Sequence, residues 1–577
     1  MNNPRCKAFS AVLILSIFAT VSPANAADKK AEGKQNDILL TTMQQELNRA
    51  TAELGKTAPA PYFLSYEVQD EHVAVAFGVD GALVSSLRAS RRAADVITHV
   101  GTPALDNTHE TSRMSAIHSG MLATNDDPDA IARELWRLTY QGYRKASKAY
   151  LNVKTKTAVN AKEEDTSADF SQEKPEVHLD YTAPAALADQ AKLEELVRKY
   201  SMRFRNYPFV YKSAVMISAT NGQTRLVNSE GTREVYPGQL IRMAIEAETR
   251  ADDGMELMRV ETFQAESVAQ LPSEQTVAAT IDKMASDIKA LRLATLAEPF
   301  DGPALLSGRA AAVFFHEVLG HRLEGQRQRG EGEGRTFAKK IGEKVLPEFL
   351  TVSDDPTVRT MGGIDLSGYY EYDDEGVPAQ RVDLIKNGVL SNYLMARMPI
   401  EGFAHSNGHG RSQAGFMPVG RQGNLIVTSS QKGTDAELRQ RLIEEVKKRG
   451  KTYGLYFEDI EGGFTLTQSG LPQAFQVLPV MVWKVYADGR PDELVRGVDI
   501  VGTPLTAMGG ILMTGDKPAV FDGVCGAESG GVPVAAVAPA MLFSEIEVQK
   551  RGHELDRPPI LPPPDLTATN VGKGGQQ

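Results

Sequence analysis

From Ala310 to Phe315 the chain is wholly apolar, and it runs directly into His316, Glu317, His321 and Glu324. No other stretch restricts the fold as much. An apolar run of this kind has to be covered by the rest of the molecule, and it carries two imidazoles and two carboxylates within nine positions into the same region. Such groups lose hydration on burial unless each finds a partner. A metal ion is a fitting partner for the histidines, because neutral imidazole nitrogen is a good zinc ligand. The order is H-E-x-x-x-H, so the second imidazole lies five residues after the first. At roughly 100° per residue, two rings so spaced on a regular helix diverge by about 140°. Both reach one ion only if the helix ends, widens or bulges between them, and Gly320 is the position where that distortion is easiest. The alternative is an amphipathic helix end with two unrelated histidines, one buried and one at the cap.

The segment His316-Glu-Val-Leu-Gly-His321-Arg-Leu-Glu324-Gly325 resembles the signature H-E-x-x-G-H-x-x-E-G of the TldD/PmbA family of zinc metallopeptidases, in its metal-bearing TldD branch. Three further blocks match in order: Asp373-Asp-Glu-Gly-Val-Pro-Ala-Gln-Arg381, Asn407-Gly-His-Gly-Arg411, and Cys525-Gly526 followed by Gly531-Val-Pro-Val534. The likeness is strong from about residue 300 to 550 and weak before it. The resemblance implies a peptidase acting on peptides or unfolded segments in an enclosed site. It also implies a homodimer, or a heterodimer with a TldE/PmbA-like subunit that lacks the metal. It assigns the third zinc ligand, beside His316 and His321, to Cys525. Among the residues themselves Glu324, His405 and His409 remain rivals for that place.

The N-terminus carries Arg5 and Lys7, an apolar run from Ala8 to Val21 and the small-x-small triplet Ala24-Asn25-Ala26. That is the layout of a signal peptide cut after Ala26, which sends the mature protein to the periplasm or outside the cell. The run is short of the ~20 residues that span a bilayer, and no second apolar stretch reaches that length, so stable membrane insertion is not expected. Cys6 precedes the apolar run, which argues against a lipoprotein. Its loss with the leader leaves Cys525 as the one thiol in an oxidising compartment, unable to form an intrachain disulfide. Cys525 sits in the sequence Phe521-Asp-Gly-Val-Cys-Gly-Ala-Glu-Ser-Gly-Gly, read as a glycine-rich loop, a setting that favours a metal or a catalytic role over simple packing. Loss of Arg5 and Lys7 takes the 63 basic side chains to 61 against 74 acidic ones. This surplus of negative charge excludes a nucleic-acid footprint.

The expected fold class is α+β: an N-terminal α/β sandwich-like region, then a mostly antiparallel β C-terminal domain carrying the metal-binding helix. The expected divisions are a signal peptide (1–26), an N-terminal α+β domain (27–153), a polar linker or loop (154–186), a middle α+β region (187–300), the metallopeptidase-like β-rich domain (301–555) and a disordered Pro-rich tail (556–577). In the first region Asn36 can cap a helix to about Leu54, and strand-like runs cover Tyr62–Asp70 and His72–Val79. Helices are expected at Asp129–Tyr150, Leu187–Arg205, Glu274–Leu293 and Thr434–Arg449. In the last domain Asn387-Gly388 and Asp488-Gly489 between apolar runs signal hairpins, so a closed or sandwiched antiparallel sheet is expected. Gly330-Glu-Gly-Glu-Gly334 lacks the strand, the helix start and the Lys-Ser/Thr pair of a phosphate loop, and reads as a flap beside the metal.

The chemistry expected is zinc-assisted hydrolysis, with Glu317 as general base on a metal-bound water. Glu324 is expected to orient a histidine from behind the metal. Asn407, His409 and Arg411 offer donors for a peptide carbonyl or oxyanion. Asp373-Asp-Glu-Gly376 reads as a solvated turn. The competing class is a metal-binding but non-catalytic peptide-binding or assembly subunit. A serine or cysteine hydrolase fits poorly, because no sequence partner marks Cys525 as a nucleophile.

Overall fold

The computed structural model describes residues 37–109, 113–158, 165–329, 334–465, 467 and 475–552. The segment expected to be a signal peptide, Cys6, Asn36, the tail from 553 and most of the expected glycine–glutamate flap lie outside them.

The first half is one mostly antiparallel sheet, with a short parallel strand at Val177–Leu179, and helices packed on it. Helix α1 (Ile38–Leu54) precedes β1 (Pro61–Val79) and β2 (Ala82–Thr102), and α2 (Pro128–Thr157) follows. Then come α3 (Gln190–Met202), β3 (Lys212–Asn228), β4 (Arg233–Arg250), β5 (Glu256–Ala265) and α4 (Glu274–Leu293). The long strands lie in the order β2-β1-β3-β4-β5. Strands from either side of the polar stretch 154–186 therefore share one sheet, with β1 and β3 paired from Ser65 to Gly78. Local chemistry sets the boundaries. Asp37, one residue after the expected Asn36, accepts from Leu40 N at 2.9 Å and caps α1. Asp127 does the same for α2, with Pro128 in the first turn. Asp80 and Gly81 both adopt positive φ (47° and 78°), the conformation of a tight two-residue hairpin between β1 and β2.

The sequence divides Pro61–Val79 into two strands at Glu71, but it forms a single one. Its polar middle is paired in place: Arg91 with Glu71 and Arg92 with Asp70, both at 2.5 Å. The polar stretch differs from expectation too. Asp169, Phe170 and Ser171 are buried instead of lying exposed. Arg329 donates to the carbonyls of Ala168 and Ser167, and Arg397 to that of Ser171, so this segment is tied to the second half of the molecule. The Arg397 guanidinium lies 4.2 Å over Phe170 and 4.8 Å over Phe63.

The second half is a larger, mostly antiparallel sheet with some parallel pairs. It comprises β6 (Phe300–Leu306), helix α5 (Gly308–Val318), β7 (Leu350–Asp354), β8 (Val382–Lys386), β9 (Asn424–Ser429), α6 (Asp435–Lys448), β10 (Tyr453–Thr465), β11 (Phe475–Tyr486), β12 (Val498–Gly502), β13 (Ile511–Ala527) and β14 (Gly530–Lys550). The main path runs β8-β7-β9-β14-β6-β10-β11. Because β12 pairs with both β11 and β14, the ladder β14-β6-β10-β11-β12 returns to β14 and closes on itself. The Asn387-Gly388 hairpin forms with φ of 47° and 80°. The turn at Asp373–Gly376 also forms, but it is not solvated. Asp373 is buried and accepts from the backbone N–H groups of Glu375, Val377 and Gly410.

Helix α5 packs against β14, β10 and β13 and is covered on all sides, with every residue from Ala310 to His316 buried. A helix apolar all round its circumference requires such a site. Phe314 meets Phe475 and Phe543 edge-on at 5.5 and 5.4 Å. Among the described residues no helix is long and apolar enough to cross a membrane.

Candidate metal centre

Helix α5 begins at Ser307, whose hydroxyl accepts from Ala310 N, and ends at Val318. A single 3₁₀ turn, Gly320–Leu323, continues the chain. This change of helical pitch brings together rings that a regular helix would hold apart: the His316 and His321 ring centroids lie 4.9 Å apart, tilted by 75°. The bend falls at Gly320 as expected, and packing adds a second reason for a glycine there. Its backbone is not left-handed; it lacks a side chain because there is no room for one. A Cβ there would lie 1.9 Å from the Gln422 Oε1.

Cys525 comes from the other end of the sequence. It is not in a loop, as its glycine-rich context suggests, but in β13, opposite Val532 of β14 and close to the hairpin tip at Glu528-Ser529. The alternation of the strand aims its side chain at the end of α5. Ligand atoms of His316, His321 and Cys525 all lie within 4.8 Å of one another, all three residues being buried. Cys525 Sγ is 3.2 Å from His321 Nε2. On the far side of that ring, Nδ1 meets Glu324 Oε1 at 3.0 Å. Glu324 is fully buried between Arg327 (Nε to Oε2, 3.0 Å) and Arg421 (Nε to Oε1, 3.6 Å).

The electrostatics follow from this packing. Burial alone would raise the Cys525 thiol, but the charges of His321, Arg421 and His316 outweigh it and hold the thiol well below its ordinary value. Burial likewise opposes charge on His321, yet Cys525 and Glu324 on its two sides raise it well above the usual imidazole range. Glu324 resists its own desolvation through His321 and Arg327 and is lowered to about 2. Cys525, His321 and Glu324 thus form a buried row in which each favours the charged form of its neighbour. The donor set fits a divalent cation once the shared proton leaves: two imidazoles, one thiolate and a carboxylate orienting one ring. His316 Nδ1 is a buried nitrogen with no hydrogen-bond partner, which is consistent with a ligand role.

Glu317 is partly exposed beside the cluster, and desolvation raises its carboxyl above the ordinary range despite His316 and His321. Its Cγ would lie 2.9 Å from a Cβ placed on Gly463 of β10, so the glycine leaves this side chain its space. The proton-binding group and the ligand cluster therefore share one end of α5.

The other candidate residues are engaged within the fold. Asn407 accepts from Met395 N and donates to Tyr393 O. His409 is fully buried, with Nε2 3.3 Å from Asp354 Oδ1. Arg411 donates to the carbonyls of Gln422 and Pro533 and lies 4.7 Å over Tyr370. His405 is exposed near Glu173. Neither His405 nor His409 joins the cluster, and Glu324 contacts it through His321. Arg421 and Gln422 do not stand out in the sequence. Their one signal is a charged and an amide side chain set between Gly420 and Gly423, at a point where the chain continues into a strand.

Residues 301–550 match the family described as PmbA/TldA metallopeptidase, C-terminal domain. A metalloprotease TldD homolog of Haemophilus influenzae is 31% identical over 250 residues, which are 43% of this chain and 48% of that protein. A zinc metalloprotease TldD homolog of Saccharolobus solfataricus is 25% identical over 253 residues, 43% of this chain and 51% of that protein. The matched region thus spans about half the length of these curated relatives. The crystal structure of TldE from Thermococcus kodakarensis superimposes with a TM-score of 0.54 at 12% identity, covering 88% of this chain and 100% of that one, a likeness of fold.

Proposed function

We propose that this chain, whose residues 301–550 match the PmbA/TldA metallopeptidase C-terminal domain, is a zinc-dependent peptidase of the TldD/PmbA kind, with His316, His321 and Cys525 as ligands and Glu317 as general base. The observation that carries the reading is the convergence of those three ligand atoms within 4.8 Å beside Glu317. Imidazole with thiolate favours zinc over harder divalent cations. When bound, the zinc supplies Lewis acidity that polarises the scissile carbonyl. Glu317 takes a proton from the attacking water and returns it to the leaving amine, so the carboxylate is regenerated. Its raised proton affinity, caused by burial, makes it a better base than an exposed glutamate. Glu324 accepts from His321 Nδ1 and so presents Nε2 to the metal.

Glu317→Gln should leave one zinc bound per chain and lower peptide hydrolysis by about 10²–10⁴-fold. Wild-type turnover in that variant would remove Glu317 from the mechanism. The rival is a metal-binding subunit that captures peptides or supports assembly without cleaving, a reading that the fold likeness to TldE keeps in view. Stoichiometric zinc and peptide binding with no hydrolysis by the wild-type protein would favour it.

The substrate class we assign is peptide or unfolded protein segment. The partner is a second copy or a TldE/PmbA-like subunit, distinguished by the mass of the purified complex. Export rests on Arg5, Lys7, the apolar run and Ala24-Asn-Ala26. N-terminal sequencing of the mature protein should begin at Ala27.

A further inference from the structure

We infer that Arg421 and Gln422 form a positioning clasp that fixes the Cys525 strand against the histidine helix and thereby sets the geometry of the three ligands. The inference rests on the metal reading above and goes beyond it, since neither residue is a ligand or an acid–base group.

The need for a clasp follows from topology. His321 and Cys525 are 204 residues apart, and Cys525 stands near the free tip of a long hairpin, where ladder hydrogen bonds alone leave a strand least constrained. Arg421 is fully buried and uses its guanidinium on both sides of the gap. Nη2 donates to the carbonyl of Cys525 itself at 2.7 Å. Nη1 donates to Ser529 Oγ at 2.7 Å and to the Gly530 carbonyl at 3.1 Å, across the hairpin tip. Nε faces Glu324 Oε1 at 3.6 Å, the oxygen that also holds His321 Nδ1. One planar cation therefore touches the backbone of one ligand and the carboxylate that orients another. A rigid fork of donors suits that task better than a lysine point charge.

Gln422 completes the clasp towards the third ligand. Its Nε2 donates to the His316 carbonyl at 3.3 Å, and its Oε1 fills the place that a side chain at residue 320 would take. The clasp is itself anchored. Arg421 N donates to the His409 carbonyl, the Gln422 carbonyl accepts from Arg411, and the N–H groups of Gly423 and Asn424 donate to Asp354 Oδ1 at 3.0 Å. The sequence blocks around Asn407–Arg411 thus reach the centre indirectly, by holding the clasp.

A second buried arginine makes a similar span towards the surface: Arg327 donates to Glu324 Oε2 at 3.0 Å and to Glu528 Oε2 at 2.7 Å. Glu528 is 42% exposed, so that link is screened by solvent and serves as an internal control.

The test measures zinc affinity by chelator competition in Arg421→Met, Arg421→Lys, Ser529→Ala and Glu528→Gln, with the near-ultraviolet sulfur-to-metal band of the cobalt-substituted proteins as a second readout. Circular dichroism and the unfolding midpoint of each metal-free variant report the fold. Arg421→Met should weaken zinc binding about 10–100-fold and shift or lose the cobalt–thiolate band while the fold persists. Arg421→Lys should recover part of the affinity, Ser529→Ala should fall between, and Glu528→Gln should change it less than about twofold. If Arg421→Met does not fold, the lysine and Ser529→Ala proteins carry the comparison. Wild-type affinity and an unchanged band in the folded Arg421 and Ser529 variants would overturn the clasp. A wild-type protein that takes up neither zinc nor cobalt would overturn the metal reading, and the clasp with it.

Discussion

At the scale of single residues, the centre depends on what is absent at position 320 as much as on the ligands. The 3₁₀ turn after Val318 lets imidazoles five positions apart meet, and the turn packs without clearance on Gln422. A methyl group there must displace the amide that holds the His316 carbonyl. Gly320→Ala should therefore cost about 1–3 kcal/mol of stability from overpacking and should also weaken zinc binding, read by unfolding and by metal competition. An alanine protein with unaltered stability and zinc affinity would show that the turn has slack. His316, Glu317 and His321 are legible in the sequence because ionisable groups carried inward by an apolar run must each find a partner, and a shared ion satisfies both imidazoles at once. Arg421 is not legible, since a buried arginine is identified by its surroundings.

At the scale of elements, helix α5 is the piece around which the second half closes. It is short, and its apolar residues contact strands from both ends of the domain. Phe314, packed edge-on between Phe475 and Phe543, fixes its depth. Phe314→Ala should destabilise the protein by about 3–5 kcal/mol through the cavity it leaves, measured by urea unfolding. A loss under about 1 kcal/mol, less than an ordinary core truncation, would mean that the helix is not packed as described. Hairpin turns are readable at Asn387-Gly388, where two positive φ values select those residues. Strand lengths are not. Polar runs such as Gln69-Asp70-Glu71 look like breaks until their cross-strand partners Arg91 and Arg92 are known. The same holds for Cys525, whose glycine neighbours suggest a loop although the partner strand Gly530–Lys550 keeps them extended.

At the scale of the whole molecule, the two sheets meet across a row of carboxylates. Asp95, Glu67 and Glu234 lie in register across β2, β1 and β4, with Leu226 of β3 between the last two. Their nearest charges across the junction include Asp373 and Asp374. Desolvation, then mutual repulsion, raises Glu67, Glu234 and Asp373 well above the ordinary range, and desolvation raises Asp374 to about 6. Glu234 is fully buried, and neither carboxylate oxygen has a hydrogen-bond partner. The unfolded chain releases these protons near pH 4, before the folded one does, so it binds fewer protons above that point. This contribution to stability therefore falls as pH rises from about 4 through 6 and beyond. Glu234→Gln should gain about 1–3 kcal/mol at pH 8, where the unfolded chain is ionised and folding must either bury that charge or take up a proton, and nothing at pH 4, where the carboxyl is neutral in both states. Equal gains at both values, measured by urea unfolding, would refute the assignment of the cost to ionisation.

The sequence by itself determined which residues could do chemistry: an apolar helix ending in imidazole and carboxylate, a distant thiol, and the turns that punctuate an antiparallel sheet. These are local matters, governed by hydration cost, helical pitch and backbone preference, and they act within a few residues. Only the tertiary structure decided that residue 525 stands 3.2 Å from residue 321, that Arg421 reaches both the Cys525 carbonyl and Glu324, and that segments on either side of a polar stretch share one sheet. Those outcomes depend on strand register and on the pairing of buried charges. Both are set by contacts between residues tens to hundreds of positions apart, which no local pattern encodes.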